Sequence, residues 1–186
     1  MDLTKEVKER ALREDIDLVG ISPVDRFSEA PEGRRPTDIL PTATSVIVSA
    51  VHVLDSVYDL PYTRYEYTNL FFVINGMLNK MAFKVCLFLE SQGYRSIPVP
   101  AAYPRINREI CGIFSHRHAA VRAGLGEFAM NNMLTTPQFG SRVRLISIIT
   151  EAPLNPDEPC KNEFCLKKRP DCQLACVRNC PVQAIS

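Results

Sequence analysis

Val143-Arg-Leu-Ile-Ser-Ile-Ile-Thr150 is the clearest strand in the sequence, with polar and apolar residues alternating only at its start. Its counterpart is Ser45-Val-Ile-Val-Ser-Ala-Val51, β-branched and nearly all apolar, as a strand covered on both faces would be. Asp17-Leu-Val-Gly-Ile-Ser22 is a shorter apolar run ended by Pro23, and Tyr94 to Val99 reads as a further strand ended by Pro100. Helical spacing separates these runs. Leu3, Val7 and Ala11 recur one turn apart and predict an amphipathic first helix. A long helix is expected over about Glu66 to Gln92, stopped by Gly93 at the C-cap, with Tyr62 to Tyr67 leading into it. Ser115 to Ala123 predicts a short helix broken by Gly124-Leu125-Gly126. Arg26 to Pro41, with three prolines, one glycine and many charges, is expected to be a loop. Tyr103 to Phe114 carries no clear pattern. The sum is a three-layer α/β domain.

The 186 residues suit one domain with a small appendage. A hydrophobic share of 46% and a charged share of 23% are those of an ordinary globular chain. Lys and Arg number 22 against 21 for Asp and Glu, a balance that argues against nucleic-acid binding as the main task. The stretch Leu70 to Leu89 is interrupted by Asn75, Asn79, Lys80 and Lys84, which predicts a core helix rather than a membrane span. The charged N-terminus holds no apolar signal core, so the expected location is cytoplasmic.

Cysteines dominate the C-terminal segment. Cys165, Cys172, Cys176 and Cys180-Pro181 form a run that ends like the ligand loop of a ferredoxin-type 4Fe-4S cluster, with wider spacing than the bacterial ferredoxin pattern. Soft thiolates suit such a cluster. Four thiolates at short spacing also suit a structural zinc, and a disulfide framework is the third alternative. Pro153, Pro156 and Pro159 predict a stiff connector. The expected division is therefore residues 1–152 as the α/β domain and 153–186 as a cluster-binding segment. Cys160 is a spare thiol, Cys86 falls at an apolar helical position, and Cys111 is expected to be structural.

A second constellation runs from Ser115-His116-Arg-His118 through Gly124-Leu125-Gly126 to Asn131, Leu134-Thr-Thr136-Pro137 and Gly140. Two glycines one residue apart permit close backbone approach to a ligand, or simply a tight turn after a helix. His116 and His118 diverge if they lie on a helix, so the pair alone does not define a metal site. Asn131, Thr135 and Thr136 offer polar groups to a ligand or cap turns.

Arg34-Arg35-Pro-Thr-Asp-Ile-Leu-Pro41, Ala123-Gly-Leu-Gly126, Leu134-Thr-Thr-Pro137 with Gly140, and the final Cys-Pro run occur in one order. In that order the chain resembles epoxyqueuosine reductase and the related reductive dehalogenases over nearly its whole length. The resemblance implies a nitroreductase-like α/β core that binds cobalamin, followed by a ferredoxin-like iron–sulfur segment. It implies that Arg35, Asn131, Leu134, Thr136 and Leu145 lie near the corrin, that Gly124, Leu125 and Gly126 shape its pocket, and that His116 and His118 stand at its edge. Electrons would come from a donor such as ferredoxin or flavodoxin and reach a small organic substrate of epoxide or halide type.

Two departures bear on that implication. The family's proton-donating Asp has no counterpart in Glu109 to His118 (EICGIFSHRH), and the family's Gly-Lys-Asn is replaced by Ala129-Met130-Asn131. His116, His118, Tyr103 and Tyr65 are the alternative acids. The chain stops six residues after Cys180, where the resemblance implies a second cluster motif. The alternatives to a corrinoid reductase are an iron–sulfur electron carrier without corrin, a zinc-stabilised binding module, and a chain inactive as it stands.

Overall fold

The computed structural model describes residues 2–59, 64–102, 112–161, 164–165 and 172–185. The run with no sequence pattern, Tyr103 to Phe114, falls largely outside them. Strands β1 (Leu18–Pro23), β2 (Ser45–His52), β3 (Ser96–Val99) and β6 (Val143–Thr150) form one sheet in the order β1-β2-β6-β3. Every pairing is antiparallel, with Ile47 opposite both Ile21 and Ile148. The two strands clearest in sequence are thus the two central ones.

Side chains of this sheet feed two cores. Ile21, Ile47, Val51, Ile146 and Ile148 point to one face, where α1 (Leu3–Leu12) and α4 (Arg64–Ser91) cover them. Val46, Val48 and Ile149 point to the other, against Ala119, Ala120 and Ala123 of α5 (His116–Arg122). Small residues on α5 let it lie close to the sheet. The expected three layers are therefore present as a mixed α/β fold, and the doubly covered reading of β2 follows from these two cores.

Helix α4 ends as the sequence predicts. Gly93 adopts φ +88° and the Tyr94 amide bonds back to the Leu89 carbonyl. Its inner face, including Leu78, Met81, Val85 and Leu89, is core. Phe72, Val73, Phe83 and Leu87 are exposed, so the helix is core on one face and open on the other. By length and composition it is also the one described helix apolar enough to cross a bilayer, with 39% of its most apolar window buried.

A 3-10 turn (Val24–Phe27) leads into the Arg26–Pro41 stretch, which is expected to be a loop but also holds a short helix, α2 (Pro36–Ile39), started by Pro36 at its first position. A short helix α3 (Ser56–Asp59) follows β2, a small hairpin pairs β4 (Glu127–Phe128) with β5 (Leu134–Thr135), and α6 (Ala175–Arg178) lies among the cysteines. At the sheet edge Arg95 holds Glu151 through both carboxylate oxygens, and Thr42 donates to the same group. This pulls the Glu151 carboxyl down to about 2.

The proline-rich connector lies against the domain. Ala152 and Leu154 are buried, the Leu154 amide bonds to Ser45 Oγ, and the Asn155 amide bonds to Thr4 Oγ1. Asp157 accepts from the Ile21 amide at 2.8 Å and from Lys8 Nζ at 2.6 Å.

Gly20 on β1 faces the end of α5, where a Cβ would press into the Ala123 carbonyl oxygen and the side chains of Leu125 and Ala123. Backbone cannot yield as a side chain does. Gly20→Ala is expected to destabilise the domain by about 2 kcal/mol, the cost of overpacking a close contact, measured as a lower urea midpoint at unchanged m.

Candidate functional site

Helix α5 positions both histidines. Ser115 caps it, and the same hydroxyl meets His118 Nδ1 at 2.7 Å. His116 lies one residue into the helix and turns inward. Its Nε2 sits 3.0 Å from the Pro100 carbonyl and its Nδ1 2.9 Å from Ser147 Oγ. A carbonyl only accepts, so Nε2 carries the proton and Nδ1 accepts from the serine hydroxyl. Burial, and secondarily the Arg144 charge, lower the His116 pKa. Both nitrogens are committed, which makes this ring a neutral structural group at neutral pH rather than a ready acid.

His118 is more open. Its ring meets Phe128 edge-on at 4.8 Å, and burial followed by the charges of Arg122 and Arg117 lower its pKa. Of the other acids named from sequence, Tyr65 is 84% exposed on the outer face of α4, and Tyr103 lies outside the described residues.

An open cavity of about 870 Å³ lies beside α5. Phe27, Phe114, His116 and His118 line it together with Arg34, Arg117 and Arg122. The Phe27 and Phe114 rings pack 5.7 Å apart. Arg34, rather than the Arg35 singled out in sequence, reaches this cavity. Arg35 instead starts α2, its amide bonded to Asp38 and its Nε to the Ala30 carbonyl.

The glycine turn is placed differently from a pocket wall. Gly124 has φ +75°, its amide bonds to the Val121 carbonyl and the Leu125 amide to the Ala120 carbonyl, a Schellman ending for α5. A Cβ on Gly124 would meet the Glu158 carbonyl, and one on Gly126 the Thr135 carbonyl. Leu125 and Leu134 are buried in the core, and Leu145 is half-buried against it. Thr136 is buried, accepting from the Phe139 amide and donating to the Gly140 carbonyl, while exposed Asn131 accepts from the Met133 amide. These polar groups cap turns, and none of them lines the cavity.

Among the described residues, no three of His, Cys, Asp and Glu converge as a metal site, so Cys165, Cys172, Cys176 and Cys180 are not gathered on one point. Two of the four sulfurs accept backbone hydrogen bonds. Cys172 Sγ accepts from the Leu174 amide and Cys180 Sγ from the Ala184 amide. Hydrogen bonds from the Ala184 and Val182 amides lower the Cys180 pKa. Cys86, by contrast, is buried beside Glu90 and its thiol is pushed up to about 12, as an inert core residue would be. Cys111 lies outside the described residues.

Comparison with known proteins follows the same line. The chain is 36% identical over 113 residues to a tetrachloroethene reductive dehalogenase of Dehalobacter restrictus, covering 58% of this chain and 17% of that protein. It is 40% identical over 76 residues to the epoxyqueuosine reductase of Bacillus subtilis, covering 40% of this chain and 18% of that one. A crystal structure of selenomethionine-labelled epoxyqueuosine reductase superposes on 98% of the chain at TM-score 0.72 and 25% identity. The chain is a relative of the epoxyqueuosine reductases and reductive dehalogenases. No protein-family model matches it. It spans 52% of that epoxyqueuosine reductase structure, and the sequence matches cover less than a fifth of the curated relatives. A reductive dehalogenase structure, described as suggesting a mechanism for B12-dependent dehalogenation, shares the fold at TM-score 0.59 and 20% identity.

Sequence reading missed Glu127. Its carboxylate accepts from the Cys165 amide at 2.6 Å and from the Phe164 amide, tying the cysteine segment to β4. An acidic residue directly after a glycine turn was the only signal. Arg117 and Arg122 were also passed over, although they sit on the same helix as the two histidines.

Two outcomes follow. Because the folded His116 pKa is lowered, the unfolded chain binds the extra proton, so this contribution to stability is present above about pH 6.5 and is lost as pH falls below it. His116→Gln is expected to flatten the change in melting temperature between pH 7 and pH 5. Glu127→Ala is expected to speed amide exchange at Phe164 and Cys165 while exchange in β6 is unchanged, read by hydrogen-exchange mass spectrometry.

Proposed function

We propose that this chain is a reductase of the epoxyqueuosine reductase and reductive dehalogenase kind. In this reading residues 1–152 form a nitroreductase-like core for a corrinoid, and residues 153–186 a ferredoxin-like segment for a 4Fe-4S cluster. The observation that carries it is the relatedness itself, in sequence to both groups and in fold along 98% of the chain. A cavity of about 870 Å³ suits a large organic cofactor or substrate, near the upper end for small-molecule sites. The donor set of Cys165, Cys172, Cys176 and Cys180 suits iron–sulfur ligation, and the lowered Cys180 pKa favours the ligating thiolate.

A corrinoid would supply nucleophilic cobalt chemistry, and a cluster held by the four cysteines would supply single electrons. The chain's own residues do the rest. Phe27 and Phe114 give the cavity an apolar wall, His118 offers a proton-carrying nitrogen at its edge, and Glu127 holds the Cys165 backbone in place. The substrate would be a small organic epoxide or halide, the electron donor a ferredoxin or flavodoxin, and the location the cytoplasm.

A second reading, an iron–sulfur electron carrier without corrin, is favoured by one observation. Gly124 to Gly126 and Leu134 to Thr136 close on the chain's own backbone and core rather than opening on a cavity.

Anaerobic reconstitution with iron, sulfide and cobalamin tests both. The expected result is cobalt retained with about four irons per chain, as one ferredoxin-type cluster requires. Iron without cobalt supports the carrier, and zinc in place of iron overturns both. Cys172→Ser, Cys176→Ser and Cys180→Ser are each expected to lower retained iron at least severalfold.

A further inference from the structure

Helix α4 carries a second apolar stripe, on the side turned away from the sheet. Tyr65, Phe72, Phe83 and Leu87 lie on it, between 49% and 84% exposed, with Gly76 at its middle. From Tyr65 the spacings are seven, four, seven and four residues. That is an eleven-residue repeat, about 3.67 residues per turn, which keeps a stripe almost parallel to the helix axis instead of winding round it. On a regular helix all five positions fall within an arc of about 60° and extend about 33 Å. A helix that packs on one domain core alone shows polar residues on this side instead.

The stripe is complementary to itself. When two copies of α4 are laid antiparallel about a point between Asn79 and Lys80, Phe72 meets Leu87 and Phe83 meets Gly76, each pair twice. The polar positions match as well, with Asn69 opposite Glu90 and Asn79 opposite Lys80. Gly76 leaves a notch for the facing phenyl ring, since a Cβ there would meet no described atom within 4 Å. Phe72 is already held edge-on against Phe71, with ring centroids 5.4 Å apart. Charges beside the stripe are matched within the chain. Lys84 Nζ donates to both carboxylate oxygens of Glu14, and Arg10 donates to Glu6 while lying 3.9 Å from the centre of the Phe88 ring. Covering the stripe therefore leaves neither of these cations buried without a partner.

We propose that this face of α4 is the interface of a two-fold dimer, covered by the antiparallel α4 of a second copy of this chain. A two-fold contact requires a surface that fits itself, which is what the stripe provides. The area agrees with what a stable dimer needs. Scaled from about 200 Å² for a fully exposed aromatic side chain, the stripe and the adjoining Val73 offer on the order of 500 Å² of apolar surface. A standard interface hides about 800 Å² on each partner, of which about 60% is apolar. The polar residues decide between a second copy and lipid. Hydrocarbon would leave Asn69, Asn79 and Glu90 without partners, whereas the second copy places a polar side chain opposite each. The proposal does not rest on the reductase reading, because it uses no cofactor and no residue of the cavity.

The test is sedimentation velocity of the full chain from about 0.1 to 100 µM, a range that brackets the weaker affinities of interfaces of this size. Reductant is present throughout, so that none of the 7 cysteines links copies by a disulfide. The expected result is a reversible monomer–dimer equilibrium. Gly76→Leu fills the notch and is expected to weaken the dimer at least tenfold. In dilute solution, where both proteins are monomeric, the same variant is expected to melt higher than wild type, because glycine is a poor helix residue. That rise separates lost association from lost folding. Phe72→Lys and Leu87→Glu are each expected to weaken the dimer at least tenfold, and the two in one chain to regain most of the loss, because the antiparallel register sets them face to face. A monomer over the whole range, unchanged association in Gly76→Leu, or a double variant no better than its weaker single would each overturn the proposal. Flotation with phosphatidylcholine vesicles covers the other occupant. A monomer that floats with them assigns the stripe to a membrane surface and overturns the dimer.

Discussion

Three glycines let backbone meet backbone around α5, and the arrangement of the molecule depends on that contact. Gly20 of β1 lies against the Ala123 carbonyl, Gly124 against the Glu158 carbonyl, and Gly126 against the Thr135 carbonyl. In each case a β-carbon would fill the space that the carbonyl oxygen occupies. The end of α5 is therefore pressed at once on the first strand, the C-terminal connector and the small hairpin. Gly124 adds a second constraint, since only its positive φ lets the helix end in a Schellman turn that satisfies the Ala120 and Val121 carbonyls.

That contact explains why a helix of seven residues is stable where an isolated one would not be. Ala119, Ala120 and Ala123 are fully or almost fully buried, and their small side chains bring the helix axis close to Val46, Val48 and Ile149. The larger residues of α5 are then forced outward or toward its start. His116 reaches down to Ser147 and Pro100, while Arg117, His118 and Arg122 are left around the cavity. The lining of the cavity is in this sense a consequence of how the other face of the helix packs.

Much of this was legible in the sequence because it follows from side-chain periodicity. The β-branched runs at 45–51 and 143–150 gave the central strands, and the break after Gln92 gave the end of α4. Antiparallel order was not legible, since the pattern of one strand does not name its neighbour. The Gly-Leu-Gly turn was noticed, but sequence alone does not say whether a glycine makes room for a ligand or for the chain's own carbonyl. Arg34 and Arg35 show the same limit. Adjacent residues of one type point in different directions, and only the start of α2 at Pro36 decides that Arg35 caps while Arg34 reaches the cavity. Glu127 escaped notice because its partners are backbone amides 37 and 38 residues away, which leave no trace in composition.

Helix α5 also stands between the cavity and the start of the cysteine segment. Its N-terminal turn carries the histidines at the cavity, and its C-terminal turn abuts Glu158 just before Cys160. Two residues past Leu125, Glu127 binds the amides of Phe164 and Cys165. Seven helical residues span about 10 Å, so the cavity and the start of the cysteine segment are separated by little more than this one helix. Both of its ends are fixed by hydrogen bonds to backbone or to Ser147, and its buried face is packed with alanine, which has no rotamers to rearrange. A helix held in this way has no alternative packing to switch into. It is a fixed spacer between the cavity and the start of the cysteine segment, held at both ends by contacts to backbone.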